Sequence, residues 1–147
     1  MNANDVIKLN DQVLDSWNQH DVQKFLNYCD EKIVWKDLAS PEAYKGKQGA
    51  KDFFSSWLTA FPDLKIKAVN KVATEDSIAV EIEFSGTNTG KLKIGSDTPE
   101  IPATRKKVTN RGSYFAKAKN GKFTEVHTYP DLAGMMAQLG LLQEQHA

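Results

Sequence analysis

Apolar residues change their spacing along this chain, and the changes divide it into helical and extended stretches. Val6, Ile7, Leu9, Val13, Leu14 and Trp17 fall on one helical stripe, which predicts a first helix from about Asp5 to Asn18. Asp21 can cap a second, short helix whose inner face is Val22, Phe25, Leu26 and Cys29. The period then changes: Ile33, Trp35 and Asp37 alternate with Val34 and Lys36, a strand pattern ending in a loop around Ser40-Pro41. After Gly49, the residues Ala50, Phe53, Phe54, Trp57, Leu58 and Phe61 recur at helical spacing until Pro62 stops them.

From Leu64 to Tyr129 the pattern is that of antiparallel strands. Leu64, Ile66 and Ala68 begin it, Glu75-Asp76-Ser77 makes a turn, and Ile78, Val80, Ile82 and Phe84 form an apolar face opposite Glu81 and Glu83. Residues 86–104, rich in Gly, Pro and Thr, read as a long hairpin connection to a strand from Val108 to Lys117. Asn120-Gly121 is a two-residue hairpin signal, with the return strand running from Lys122 to Tyr129. Pro130 closes that strand, and Asp131 opens a last short helix carrying Leu132, Met135, Met136 and Leu139.

Segregated helices and strands predict an α+β class. The expected architecture is one curved antiparallel β-sheet wrapped around the N-terminal helices. Such a cone, a cystatin-like α+β roll, leaves a deep apolar pocket at its open end. The length of 147 residues fits one domain spanning 1–147 and a core that needs no staple.

Composition narrows the partners. Lys plus Arg and Asp plus Glu are 19 each, so the overall field does not favour a polyanion. Arg105-Lys106-Lys107 is the basic run, and without interleaved aromatics it reads as a solvated edge; no nucleic-acid partner is expected. The single cysteine, Cys29, excludes an intramolecular disulfide and sits in an apolar pattern, as a structural thiol does. No stretch has the length of a membrane span, and the first twenty residues do not read as a signal peptide, so a cytoplasmic location is expected. No His/Cys/Asp/Glu cluster has metal-ligand spacing and no phosphate loop is present, so neither metal nor cofactor is expected.

Asp131 carries the strongest case for chemistry. If the strand alternation runs to its end, Glu125, His127, Tyr129 and Asp131 share one face, with Tyr129 and Asp131 at the end that helices can cover. A carboxyl there, ringed by Trp35, Phe54, Trp57 and Tyr114, would be desolvated and suited to lifting a proton acidified by adjacent carbonyls. The same aspartate directly precedes a helix, where Asp is a preferred N-cap, and the two roles are compatible. His127 could orient Asp131 or polarise a carbonyl, or be a hydrogen-bonded rim residue. Asp37 could line the pocket or start a turn. Tyr44, Tyr114 and Tyr129 could donate to an oxyanion, although packing accounts for each of them.

The residues also resemble a family. Ile33-Val34-Trp35 followed by Asp37, Gly46 and Gly49 before Phe53-Phe54, and Phe61-Pro62-Asp63 are similar to the SnoaL-like polyketide (ester) cyclases. So are Gly86-Thr87-x-Thr89-Gly90, Asn120-Gly121-Lys122-Phe123, and Asp131 followed six residues on by Gln138-Leu139-Gly140. These enzymes belong to the nuclear-transport-factor-like cone folds, with ketosteroid isomerase and limonene epoxide hydrolase. The resemblance implies a pocket closed by helices, a homodimer through the outer sheet face, and an aldol ring closure without metal or cofactor. In that reading the carboxylate matching Asp131 is the acid/base, and Asn88 at the pocket mouth stands where many members have His. Thr104-Arg105 replaces a common Thr-Gly. The Arg-x-Asp pair of epoxide hydrolysis is not matched, since Arg105 and Arg111 are followed two residues on by Lys107 and Ser113.

The expected function is therefore cyclisation or isomerisation of a small hydrophobic carbonyl compound by an aspartate acid/base. The candidate catalytic residues are Asp131 and His127, with Trp35, Asp37, Tyr44, Phe54, Trp57, Asn88, Tyr114 and Tyr129 lining the substrate site. The competing expectation is a non-catalytic module of the same fold that binds a small ligand or dimerises, because fold alone does not grant activity.

Overall fold

The computed structural model describes residues 1–40, 42–93 and 99–142. Pro41 of the expected loop and the middle of the expected 86–104 connection, residues 94–98, lie outside the described residues. Helix α1 (Ala3–Asn18) starts where Asn2 and Asp5 form a reciprocal capping box, and its buried stripe runs through Val6, Leu9, Val13, Leu14 and Trp17. Asp21 caps α2 (Val22–Asn27) by accepting from the Lys24 N–H at 3.0 Å. Cys29 does not extend that helix: it begins strand β1 (Cys29–Asp37) and is buried opposite Phe123.

A two-residue strand β2 (Tyr44–Lys45) leads into helix α3 (Gly46–Ala60), which begins four residues before Ala50, where the pattern suggested. Gly49 lies inside the helix rather than ahead of it, and the close approach of the Tyr44 backbone, 2.7 Å from where a Cβ would stand, is what requires glycine there. Strands β3 (Lys65–Ala73), β4 (Ser77–Thr87), β5 (Lys107–Lys119) and β6 (Lys122–Pro130) follow, and helix α4 (Leu132–Gln138) completes the described fold. Asn120 and Gly121 both take positive φ, 54° and 77°, as the predicted two-residue turn between β5 and β6 requires.

The six strands make one curved sheet in the order β2-β1-β6-β5-β4-β3. It is mixed rather than wholly antiparallel, because β1 pairs parallel to β6. The helical crossing α3 and the strands β3–β5 separate those two strands in sequence, which is the length of connection that parallel pairing needs. Its consequence is local: both strands run to the same end of the sheet, where Asp37 is opposite Thr128.

Register shifts at Ala68/Asn70 and Lys117/Ala118 add bulges, which bend and coil a sheet. The concave face holds Ile78, Val80, Val108, Ala116, Phe123 and Val126 against α1 and α3. Between them the rings of Trp17, Phe25 and Phe54 pack at centroid distances of 4.5–5.5 Å. At the open edge, the Asn18 side chain accepts from the Ile66 N–H and donates to its carbonyl, tying the end of α1 to β3. Among the described residues no helix is long and apolar enough to cross a membrane.

Candidate active site

The sheet curls around a cavity of about 120 Å³ between α1, α3, α4 and the concave face. Its wall is overwhelmingly apolar. Trp17, Trp35, Phe53, Trp57 and Phe84 supply aromatic faces, and Leu64, Ile66, Val126 and Met135 fill between them. Each ring is positioned by an element's period: Phe53 and Trp57 are one turn apart on α3, and Trp35 is an inward position of β1.

Among the described residues, one carboxyl belongs to this wall. Asp37, two residues beyond Trp35 on the same face of β1, is 6% exposed and lines the cavity. Its Oδ1 accepts from the Ala39 N–H at 2.8 Å, and Thr128 on the neighbouring strand, whose hydroxyl donates to the Lys36 carbonyl at 3.5 Å, is close to the carboxyl. Burial away from water raises its pKa above the ordinary Asp value, and the Ala39 N–H and Thr128 offset the rise only in part. Thr128 lines the cavity as well, so the parallel β1–β6 pairing puts an acid and a hydroxyl side by side on a largely apolar surface.

Tyr114 also reaches the cavity, but its hydroxyl donates to the Asn10 side chain of α1, deep in the core. Burial pushes the Tyr114 phenol far above its usual pKa, so it remains a neutral donor. Two buried side-chain nitrogens have no hydrogen-bond partner among the described residues: Asn10 Nδ2 and Trp35 Nε1. Of these two residues, Trp35 is the one that lines the cavity. No group of three or more His, Cys, Asp or Glu side chains among the described residues is placed to hold a metal ion.

The SnoaL-like polyketide cyclase family matches residues 7–139, nearly the whole chain. The chain belongs to this family. A SnoaL-like polyketide cyclase assignment also attaches to a protein of Jannaschia sp. CCS1, whose structure superposes at a TM-score of 0.83 with 15% identity, covering 96% of this chain and 95% of that one. A protein of Catenulispora acidiphila DSM 44928 with a ketosteroid isomerase-like fold, in complex with trimethylamine, gives 0.74 and 12%, covering 95% and 97%. An LEH-like epoxide hydrolase of M. tuberculosis gives 0.70 and 12%, covering 93% and 90%. At these identities the likeness establishes the cone fold alone. No curated protein sequence matches the chain.

Within this SnoaL-like chain, the residues expected from sequence separate into three groups. Trp35, Asp37, Trp57 and Tyr114 line the cavity. Phe54 and Tyr44 stand behind it: Phe54 is 1% exposed in the Trp17–Phe25 stack, and Tyr44 packs edge-on against Phe53 at 5.4 Å. Asn88 is fully buried away from the cavity, where its Nδ2 donates to the Ala60 and Gly90 carbonyls and its Oδ1 accepts from the Thr104 N–H and hydroxyl. It fastens a loop to α3 instead of facing a ligand at the mouth.

The third group faces elsewhere. His127 and Tyr129 do share a face with Glu125, but it is the convex one. The bulge opposite Lys117/Ala118 takes up Thr124 as an extra residue, so the inward positions of β6 beyond it are Val126, Thr128 and Pro130. His127 Nε2 lies 2.8 Å from the Glu125 carboxylate, which that hydrogen bond holds below the ordinary Glu pKa. Tyr129 is 43% exposed.

Asp131 does not floor the cavity. It is exposed at the rim, where its Oδ1 accepts from the Gly134 N–H at 2.9 Å as the N-cap of α4. Its carbonyl accepts from Asn110, a residue of the cavity wall. Thr128, Asn110, Trp17, Phe53, Phe84 and Met135 are among the wall residues that sequence reasoning missed. The alternation of β6 could have found Thr128 only if the bulge had been known.

Proposed function

We propose that the cavity binds a small hydrophobic carbonyl compound and that Asp37 is the acid/base for its aldol-type cyclisation or isomerisation. The observation that carries this reading is a buried carboxyl, its pKa raised by desolvation, on the wall of an aromatic cavity. In the first step the Asp37 carboxylate takes a proton from the carbon between two carbonyls. The C–H electron pair moves into the carbon–carbon bond and the carbonyl π pair onto oxygen, giving an enolate. For cyclisation the enolate carbon then attacks a further carbonyl of the same molecule, outside that pair: a carbon–carbon bond forms, the π pair of the attacked carbonyl moves onto its oxygen, and the protonated Asp37 gives its proton to the new alkoxide. For isomerisation the proton returns to a different carbon. Either way no oxidant, reductant or second substrate is consumed.

Asp37→Asn should abolish enzyme-dependent hydrogen–deuterium exchange at the acidic carbon of 1-phenylbutane-1,3-dione, a loss of about 10²–10⁴-fold. Asp131→Asn tests the rim aspartate that the family resemblance favours, supported here by its contact with Asn110. Exchange lost in Asp131→Asn and kept in Asp37→Asn would move the acid/base to the rim. Binding of the dione without exchange in wild type would favour the non-catalytic ligand-binding reading.

The same proposal includes a homodimer through the convex sheet face. Val72 and Tyr129, 74% and 43% exposed, border a groove there with Phe115 and Asn70, and an apolar patch on an outer sheet suits a two-fold contact. Sedimentation of the wild type and of Val72→Glu tests it: a dimer that becomes a monomer supports the face, and an unchanged mass removes it.

A further inference from the structure

Strand β5 has a bare position on its inward face. The inward residues run Val108, Asn110, Gly112, Tyr114 and Ala116, and Gly112, in the middle of them, lines the cavity. A glycine inside a strand costs stability against alanine, and the three ordinary reasons for accepting one do not hold here. Its φ is not positive: Gly46, Gly121 and Gly140 are the described glycines in that region. No bulge falls on it, since it pairs with Ile82 on β4 and Pro130 on β6, and the register shift of β5 against β6 lies further on, between Lys117 and Ala118. Nor is it crowded. A Cβ at Gly49 would come 2.7 Å from the Tyr44 backbone and one at Gly90 1.8 Å from the Thr59 carbonyl oxygen, whereas one at Gly112 would have 3.3 Å to the Tyr129 oxygen and 3.4 Å to the Pro130 Cα. Apart from its chain neighbours, no described side chain comes closer than 4.0 Å to that point.

The layers of the sheet locate the space this leaves. One inward row deeper, Val80 and Tyr114 are buried, as are Ile78 and Ala116 below them. Val108, two inward rows nearer the other end of β5, is buried too. Between these sealed rows, Ile82, Gly112 and Pro130 all line the cavity and are only half-buried. The missing side chain therefore opens onto the cavity.

We propose that Gly112 is the specificity-determining position of this cavity, its bare backbone leaving a flat notch between Ile82 and Pro130 that seats one planar ring of the substrate face-on. This deepens the reading of the cavity as a site for a small hydrophobic carbonyl compound and rests on it. A ring can approach a strand backbone to van der Waals distance only where no side chain intervenes. An aromatic or conjugated ring keeps contact along the whole notch, whereas a puckered one leaves gaps, and dispersion falls steeply across a gap.

Size and spacing narrow the ligand further. A dry cavity of about 150 Å³ in an engineered protein holds one benzene ring. The cavity here is about 120 Å³, so its enclosed part accommodates one ring, and a fused multi-ring skeleton would have to leave most of its rings outside the mouth. Asp37 lies two strands across from Gly112 and one inward row deeper, through the Asp37–Thr128 and Thr128–Tyr114 pairs. On a flat sheet that is about 12 Å between Cα atoms, and a curved sheet shortens it. The substrate class is therefore a planar ring bearing its acidic carbon on a carbonyl side chain, rather than a ring that contains both carbonyls.

The test uses pentafluorobenzene, a planar ring followed by fluorine NMR, and xenon, a small sphere that enters apolar cavities and is followed by xenon NMR. Gly112→Val should weaken pentafluorobenzene by about tenfold or more and leave xenon within about threefold. Equal weakening of both probes, or of neither, overturns the notch, and so does a wild type that does not bind pentafluorobenzene. A second measurement needs no variant: in wild type, bound pentafluorobenzene should give a fluorine–proton Overhauser effect to the Gly112 α protons. Its absence overturns the proposal even if Gly112→Val does not fold. The acid/base reading fails separately, by exchange surviving Asp37→Asn, and that result leaves both probe titrations as they are.

Discussion

Asn88→Ala distinguishes a loop fastener from a pocket residue, and its cost can be worked from the bonds it removes. The Asn88 side chain makes four hydrogen bonds: to the Ala60 carbonyl at 3.1 Å, to the Gly90 carbonyl at 2.9 Å, from the Thr104 N–H at 2.8 Å and from its hydroxyl at 2.9 Å. Ala60 keeps a second donor in the Gly90 N–H, and the Thr104 hydroxyl can turn to water. The Gly90 carbonyl and the Thr104 N–H lose the partners that Asn88 supplied. At about 0.5–1.5 kcal/mol net for each bond, with those two at the upper end, the loss comes to about 3 kcal/mol. For a chain of this size that lowers Tm by roughly 6–12 °C.

Urea unfolding is the assay. The midpoint should fall by about 1–3 M with the m-value unchanged, since neither end state changes its exposed surface much. The backbone bonds from Asn88 N–H to the Lys106 carbonyl and from Arg105 N–H to the Asn88 carbonyl survive the substitution, so the strand ends stay paired. Pentafluorobenzene affinity should therefore remain within about twofold of wild type. An unchanged midpoint together with lost binding would refute the reasoning and return Asn88 to the pocket mouth.

Asp37→Asn should raise Tm at pH 7, because the folded state holds the Asp37 proton to higher pH than the unfolded chain does. Between the ordinary Asp value and the raised one the native state binds more protons, so wild-type stability falls as pH rises through that window. The gain in the variant should therefore vanish near pH 3, below both values, and a gain that persists there would exclude this cause. Asp131→Ala should cost about 1 kcal/mol through the lost cap of α4, and Asp131→Asn much less, read by thermal unfolding. Phe54→Ala should cost about 3–5 kcal/mol in urea unfolding, because the ring is enclosed by Trp17 and Phe25. Cys29, whose thiol burial pushes up to about 12, should resist iodoacetamide at pH 8 in the native state and react on unfolding.

The sequence by itself determined the elements, because each is written in local chemistry. The aromatic stripe of α3, the Asp21 cap, the Asn120-Gly121 turn and the alternating face of β4 depend on residues a few positions apart, and all form as read. The α+β class and the cone fold follow from their order. Trp35, Asp37, Trp57 and Tyr114 were legible as wall residues for the same reason: inward positions of a strand or helix are set by its period.

Tertiary structure decided which carboxyl is buried. One extra residue in β6, accommodated by a bulge against β5, reverses which side chains face inward, and no local signal marks Thr124 as that residue. His127 and Tyr129 were thereby moved to the convex face, and Asp131 was left as an exposed cap at the rim. The parallel pairing of β1 with β6 joins strands more than 80 positions apart, and it is this pairing that sets Asp37 beside Thr128. Desolvation is a property of everything packed around a group, so the raised pKa of Asp37 and the unpartnered indole of Trp35 emerge only once the sheet has closed over them.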